Sequence, residues 1–320
     1  MAQDYAKARE WYEQAADKGE ATAMNNIGVL YANGRGVAQD YAKAREWYEK
    51  AAARDYASAM VNLGLLYDRG HGVGQDYVKA REWYEKAAAK NDATAMTGLG
   101  SLYDNGHGVE QDYGKAREWY EKAAAKNDPI AMTDLGLLYD NGRGVARDNA
   151  KAREWYRKAA DKGEAAAKEI LESLAIDDAA VQGRYGEALR LEEAVAVRIE
   201  AHETEQRGKP GRVTADALNG VAWYALFARD YSRALAAAIR AHELVPDDLY
   251  IEGNHAHALM LLGRGEEAEA LYLNHKGKPI SSADGRLWER VIAEDFAALR
   301  KAGVIHPMMD DIEKRLGISP

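Results

Sequence analysis

The chain has 320 residues, 47% hydrophobic and 30% charged, with a formal net charge of −9 and no cysteine. This is the composition of a folded chain long enough for one extended array or two domains, and it excludes disulfides, thiolate metal sites and a cysteine nucleophile. An acidic molecule without a basic stripe is a poor nucleic-acid ligand, and no apolar run approaches the roughly 18 residues of a membrane span.

From the first residue to about residue 165 the chain repeats itself every 36 residues. Tryptophan recurs at Trp11, Trp47, Trp83, Trp119 and Trp155, each followed by tyrosine, and methionine recurs at Met24, Met60, Met96 and Met132. A period of this length predicts a solenoid, in which each unit buries its apolar face against its neighbours.

Within one unit, the segment from Asp40 to Ala52 places Tyr41, Ala44, Trp47, Tyr48, Ala51 and Ala52 on one stripe at about 100° per residue, with Lys43, Arg45, Glu46 and Glu49 opposite. This predicts an amphipathic helix, here called type B, with Asp40 as its N-cap. The segment from Ala57 to Gly72 places Ala59, Met60, Leu63, Leu66 and Tyr67 on one stripe, with Gly64 at its edge where another helix can approach. This is type A. Asp128 followed by Pro129 marks its start in one copy, and Asn33-Gly34, Arg69-Gly70, Asn105-Gly106 and Asn141-Gly142 mark its stops.

The GRGV and GHGV loops have the look of phosphate-cradling glycine turns. They join helix to helix, however, and precede an aspartate cap that would repel a phosphate, so they are read as helix punctuation. His71 and His107 sit one period apart in these loops without a second ligand beside them, and no metal site is expected.

The recurring pattern AMxxLGxLYxxGxGVxxDYxKAxxWYxKAA resembles the Sel1-like repeats, 36-residue relatives of tetratricopeptide repeats. It recurs four times with a fifth partial copy and covers about half of the chain. The resemblance implies an all-α fold, a right-handed α-solenoid or superhelix whose concave face is lined by A helices and serves as an adaptor in assembling protein complexes. Some secreted, cysteine-rich members are associated with β-lactams; this chain lacks their cysteine pairs.

The array then degrades. Lys168 and Glu172 stand where methionine and glycine are due, while Leu171 and Leu174 keep the inner positions, as suits a capping unit. The first domain is therefore expected to span 1–176 and the second 177–320. The second begins with a helix from about Arg184 to Glu205. Two units of about 34 residues follow, Ala215 to Asp248 and Leu249 to Ser282, and they look like tetratricopeptide repeats, with small residues at Ala222, Ala234, Ala256 and Ala268. The run from Arg286 to Ala302 is expected to seal the end with Leu287, Trp288, Ile292, Phe296 and Leu299. His255 and His257 lie about 200° apart on a helical wheel and do not form a metal pair. No carboxylate pair or serine stands in a catalytic pattern, so no catalytic residue, cofactor or metal is assigned.

Because the units are near-copies, positions that differ among them carry information. On the A helices these are Asn25, Val61, Thr97 and Thr133; Val29, Leu65, Ser101 and Leu137; and Ala32, Asp68, Asp104 and Asp140, all expected opposite the buried stripe and lining the concave groove. Val61, Leu65 and Leu137, read as exposed beside an aspartate ladder, point to a protein or peptide partner with an apolar face and basic residues. A seam position, Asn26, Asn62, Gly98 and Asp134, offers an asparagine ladder in its first two units.

The function expected is a non-enzymatic scaffold. Two alternatives remain open: the regulatory or targeting arm of a larger enzyme, suggested by Met1 standing at the register of Val37, Val73, Val109 and Val145, or a periplasmic glycan- or β-lactam-binding protein. The chain as given reads as cytoplasmic, and periplasmic if a signal sequence lies upstream.

Overall fold

The computed structural model describes residues 4–281 and 285–318. Met1 and Ser282, on which the register of the first unit and the end of the last one were read, lie outside the described residues. Seventeen helices are present among those described, and the chain divides between Leu171 and Glu172 into two compact units.

The first unit alternates the two helix types. The B helices are α1 (Tyr5–Asp17), α3 (Tyr41–Ala52), α5 (Tyr77–Ala88), α7 (Tyr113–Ala124) and α9 (Asn149–Asp161); the A helices are α2 (Ala21–Asn33), α4 (Ala57–Arg69), α6 (Ala93–Asn105) and α8 (Pro129–Asn141). Every B helix starts on an aspartate, Asp4, Asp40, Asp76, Asp112 or Asp148, whose carboxylate accepts the backbone amide three residues on. This satisfies one of the free donors of the first turn. Those bonds hold the Asp40, Asp76 and Asp112 carboxyls below the usual carboxylate range.

Each A helix ends on a glycine in the left-handed conformation, Gly34, Gly70, Gly106 or Gly142. The chain then closes back, the amides of Asp40, Asp76, Asp112 and Asp148 bonding the carbonyls of Tyr31, Tyr67, Tyr103 and Tyr139. The second glycine of each loop has a different reason. A Cβ on Gly72 would stand 2.5 Å from Tyr41 Cβ, and Gly36, Gly108 and Gly144 meet Tyr5, Tyr77 and Tyr113 in the same way. The residue between the two glycines covers that tyrosine ring: His71 stacks on Tyr41 at 4.6 Å and His107 on Tyr77 at 4.2 Å, while Arg35 and Arg143 lie over Tyr5 and Tyr113. The loop is thus built around an aromatic contact.

The core of this unit is the interface of A and B. Ala44, Ala80 and Ala116 are fully buried, as are Leu63, Leu99 and Leu135, and Tyr48, Tyr84, Tyr120 and Tyr156 are nearly so. Each of these tyrosines lies flat against a glycine of the A helix before it; a Cβ on Gly64 would come within 2.4 Å of the Tyr84 ring. The tryptophans are less buried. Trp47, Trp83, Trp119 and Trp155 pack at the edge of the core and take the amine of a lysine one turn on, at 4.0 to 4.2 Å from the ring centroid, a cation–π arrangement.

Helix α10 (Ala165–Val181) runs through the division between the units. The second unit holds α11 (Tyr185–Arg207), α12 (Arg212–Phe227), α13 (Tyr231–Leu244), α14 (Leu249–Leu261), α15 (Gly265–Asn274), α16 (Trp288–Lys301) and α17 (Met308–Leu316). Consecutive helices pack in pairs, and the small residues expected at close contacts, Ala222, Ala234, Ala256 and Ala268, are fully buried. Trp288, Ile292, Phe296 and Leu299 do seal the end, but Leu287 does not. It precedes α16 in an extended bridge to Pro279, which leaves its side chain 45% exposed. Glu203, near the end of α11, accepts the amides of Gly211 and Thr214 and the Thr214 hydroxyl, and so caps α12 from outside that helix.

Candidate functional site

The A helices carry the residues singled out in the sequence, and the structure sorts those positions by depth. Asn25, Val61, Thr97 and Thr133 are buried, at 6 to 9% exposure, and do not line an open groove. The reason is stacking: an A helix in the array packs against the B helix before it as well as the one after it, so its buried arc is wider than a stripe that faces one B helix. Asn62 Nδ2 donates to Asn25 Oδ1 at 2.9 Å across α2 and α4, and the hydroxyls of Thr97 and Thr133 are turned back onto the carbonyls of Ala93 and Pro129. The expectation that Val61 is exposed fails for this reason, and the Asn25–Asn62 pair is joined by a hydrogen bond of its own.

The second column lies at the surface. Val29, Leu65 and Ser101 are half-buried and Leu137 is 40% exposed. Between α2 and α4 this column opens into a recess of about 270 Å³, walled by Val29, Ala32, Asn62, Leu65 and Arg69, with Tyr48 and His71 also contributing.

The aspartate column is half-buried, and the charges of the chain itself act on it. Burial pushes the Asp68 carboxyl up, opposed first by His107, then by Arg69 and by a hydrogen bond with the Tyr84 hydroxyl. Burial also raises Asp104, opposed by Arg143. Burial, and after it the Asp140 carboxylate, raises the Tyr156 hydroxyl to about 12. Asp134, on the seam, is pushed up to about 7 by burial and then by Asp104, Asp128 and Glu164. Tyr120, between Asp134 and Asp104, is raised by burial and by both carboxylates.

Sequence reasoning missed the partners of this ladder. His107 and Arg143 each stand one period plus three residues after the aspartate they oppose, and His71 stands at the same offset from Ala32. That offset was legible in the repeat. Reading the loops as helix punctuation alone leaves it out.

In the second unit, Asn254 Nδ2 donates to Asn219 Oδ1 at 2.8 Å, a lateral clasp between α12 and α14 like that of Asn25 and Asn62. His257 is fully buried between the Tyr272 hydroxyl at 2.7 Å and Asp295 Oδ2 at 3.1 Å. It is a hydrogen-bonded core residue. His242 Nδ1 stands 2.7 Å from the buried Glu252 carboxylate, with the His255 ring 6.4 Å from that of His242. Among the described residues no group of three His, Asp or Glu side chains has the arrangement to hold a metal ion, and no helix is long and apolar enough to cross a membrane.

Paired helices of fixed length stacked through one repeated interface define an α-helical repeat protein. The sequence model of the Sel1 repeat matches residues 1–20, 21–56, 57–92, 93–128 and 129–164, and the chain belongs to the Sel1 repeat family. It is similar to a solved Sel1 repeat protein from Oxalobacter formigenes, at 31% identity over 70% of this chain and 88% of that one, with a TM-score of 0.53. The fold is also that of c5321, described as a protective antigen present in uropathogenic Escherichia coli strains, at 23% identity over 98% of this chain and 76% of that one, with a TM-score of 0.56. No curated protein sequence matches the chain. Repeat folds of this kind generally serve as protein-interaction scaffolds.

Proposed function

We propose that this chain is a non-enzymatic adaptor that binds a segment of another protein on the A-helix face of residues 1–164. The observation that supports this reading is the recess between α2 and α4, an apolar wall of Val29 and Leu65 beside the amide of Asn62, in a column whose side chains differ among otherwise near-identical units. A surface that varies while its scaffold repeats is suited to recognition without chemistry. The partner that fits carries apolar side chains for Val29, Leu65 and Leu137. Charge contributes less to the fit, since Asp68 and Asp104 are already opposed by His107 and Arg143.

The test uses Leu65→Lys, at the wall of the recess, and Leu137→Lys, at a position that is 40% exposed and so accepts a lysine without burying its charge. Crosslinking capture identifies a partner of the wild-type chain, and titration with that partner then measures affinity for each variant. Loss of affinity in either variant, with helicity unchanged, supports the reading. Wild-type affinity in both refutes it.

A further inference from the structure

The aspartate column has a gap. Asp68, Asp104 and Asp140 each stand by the tyrosine of the following B helix: the Tyr84 hydroxyl donates to the Asp68 carboxylate, and the charges of Asp104 and Asp140 bear on the hydroxyls of Tyr120 and Tyr156. In α2 the column carries Ala32 instead, and the Tyr48 hydroxyl, pushed up to about 12, owes that rise to burial alone. The other neighbour of the missing carboxylate is also in place. His107 opposes Asp68 from one period plus three residues on, and His71 holds the same position relative to Ala32, its ring stacked on Tyr41 at 4.6 Å.

At this gap lies the recess of about 270 Å³ between α2 and α4, which Ala32, Tyr48 and His71 all line. Arg69 joins its wall at a position where the other copies have Asn33, Asn105 and Asn141, and among the described residues that line it there is no carboxylate. Charge adds little beside Asp68 and Asp104, which the chain itself opposes, but here an arginine and a histidine meet no aspartate of the column. In a chain of net charge −9, such a recess is suited to an anion.

We propose that this recess binds the carboxylate of an aspartate or glutamate side chain on a partner protein, which supplies the group that α2 lacks. The inference rests on the adaptor reading and narrows it: the bound segment carries an acidic residue at Ala32 next to the apolar one that meets Val29 and Leu65. The carboxylate accepts from the Tyr48 hydroxyl and lies against Arg69 and His71, while its methylene rests on the Ala32 methyl group. Charge-assisted bonds of this kind are stronger than those of neutral groups, so the site discriminates against an amide of the same shape.

The probes are three peptides titrated into the full chain: acetyl-Leu-Asp-Leu-amide, its asparagine counterpart, and acetyl-Leu-Leu with a free terminal carboxylate. The methyl resonances of Val29 and Leu65 report binding at the site, including weak binding. The expected result is saturable binding of the aspartate peptide, weaker by at least about tenfold for the asparagine peptide. Ala32→Asp, which places the chain's own carboxylate in the gap as in the later copies, should weaken the aspartate peptide by a similar factor. Arg69→Gln should remove the preference for aspartate over asparagine. Absence of saturable binding, equal binding of the aspartate and asparagine peptides, or a preference that Arg69→Gln leaves intact overturns the proposal. Tighter binding of the free-terminus peptide also overturns it, since the ligand would then be a chain end. The partner captured by crosslinking separates this failure from that of the adaptor reading. Affinity retained in Ala32→Asp and Arg69→Gln but lost in Leu65→Lys or Leu137→Lys strikes the carboxylate site alone; affinity retained in all four strikes both.

Discussion

One substitution, glycine to alanine, should have opposite signs at two positions in the first unit. At Gly100, in the middle of α6, a Cβ would stand 2.5 Å from both Cδ1 and Cε1 of Tyr120. Carbon atoms rest at about 3.5 to 4.0 Å, so the ring must give by roughly 1 Å. It has nowhere to go, because Tyr120 is 2% exposed and Ala116, Ala123 and Leu135 around it are fully buried. Overpacking of this kind costs about 1–3 kcal/mol, against about 1 kcal/mol that alanine returns in helix propensity. Gly100→Ala should therefore destabilise the unit by about 1 kcal/mol, lowering its melting midpoint by roughly 2–4 °C. At Gly114, in the first turn of α7, a Cβ meets only the Asp112 carboxylate, at 3.2 Å, and the copies already carry Ala42 and Val78 there. Gly114→Ala should stabilise by about 0.5–1 kcal/mol. Thermal unfolding followed by circular dichroism on the two variants checks both signs. A rise in midpoint for Gly100→Ala would show that the A–B interface is loose enough to accept a methyl group, and would refute the close-packing account of all four glycines.

Two further outcomes follow from the titratable groups. Asp134, pushed up to about 7, keeps a proton in the native state that the unfolded chain has released above about pH 4. The native state thus binds more protons across that window, so stability is present below it and is lost as pH rises through about 7. Asp134→Asn, which cannot ionise, should gain on the wild type as pH rises from about 4 to about 7 and hold a constant lead above; denaturant midpoints across pH read this directly, and a lead that opens on the acid side would refute it. In the second unit, Tyr272→Phe strands the buried His257 Nδ1 and should cost about 1–3 kcal/mol. Hydrogen exchange should then lose protection in α14 to α16 while the first unit is unchanged; unchanged protection in α14 would show that the bond carries no stability.

What could be read from the residues alone was whatever depends on local period and local chemistry. Tryptophan, methionine and glycine returning every 36 residues determined the helix pairs, their aspartate caps and their glycine stops, because capping and amphipathicity act within one turn or one helix. The small residues at Ala222, Ala234, Ala256 and Ala268 marked the close contacts of the second unit in the same way. Depth on the A helices was not legible. A wheel drawn on one helix knows one neighbour, and in an array the B helix on the other side buries a second arc of each A helix, where Asn25, Val61, Thr97 and Thr133 are buried.

Charge was decided at the same level. The aspartate column reads as open recognition surface in the sequence; in the tertiary structure it is half-buried, and the charges of His107 and Arg143, each drawn from the following unit, oppose the rise of Asp68 and Asp104. Leu287 shows the same limit on a smaller scale, an apolar residue on the right stripe turned outward by a backbone bridge just before its helix begins. The linear chain determined which units form and how each begins and ends. Which side chains face solvent between the units is a property of their stacking, because burial there is shared between residues a full period apart.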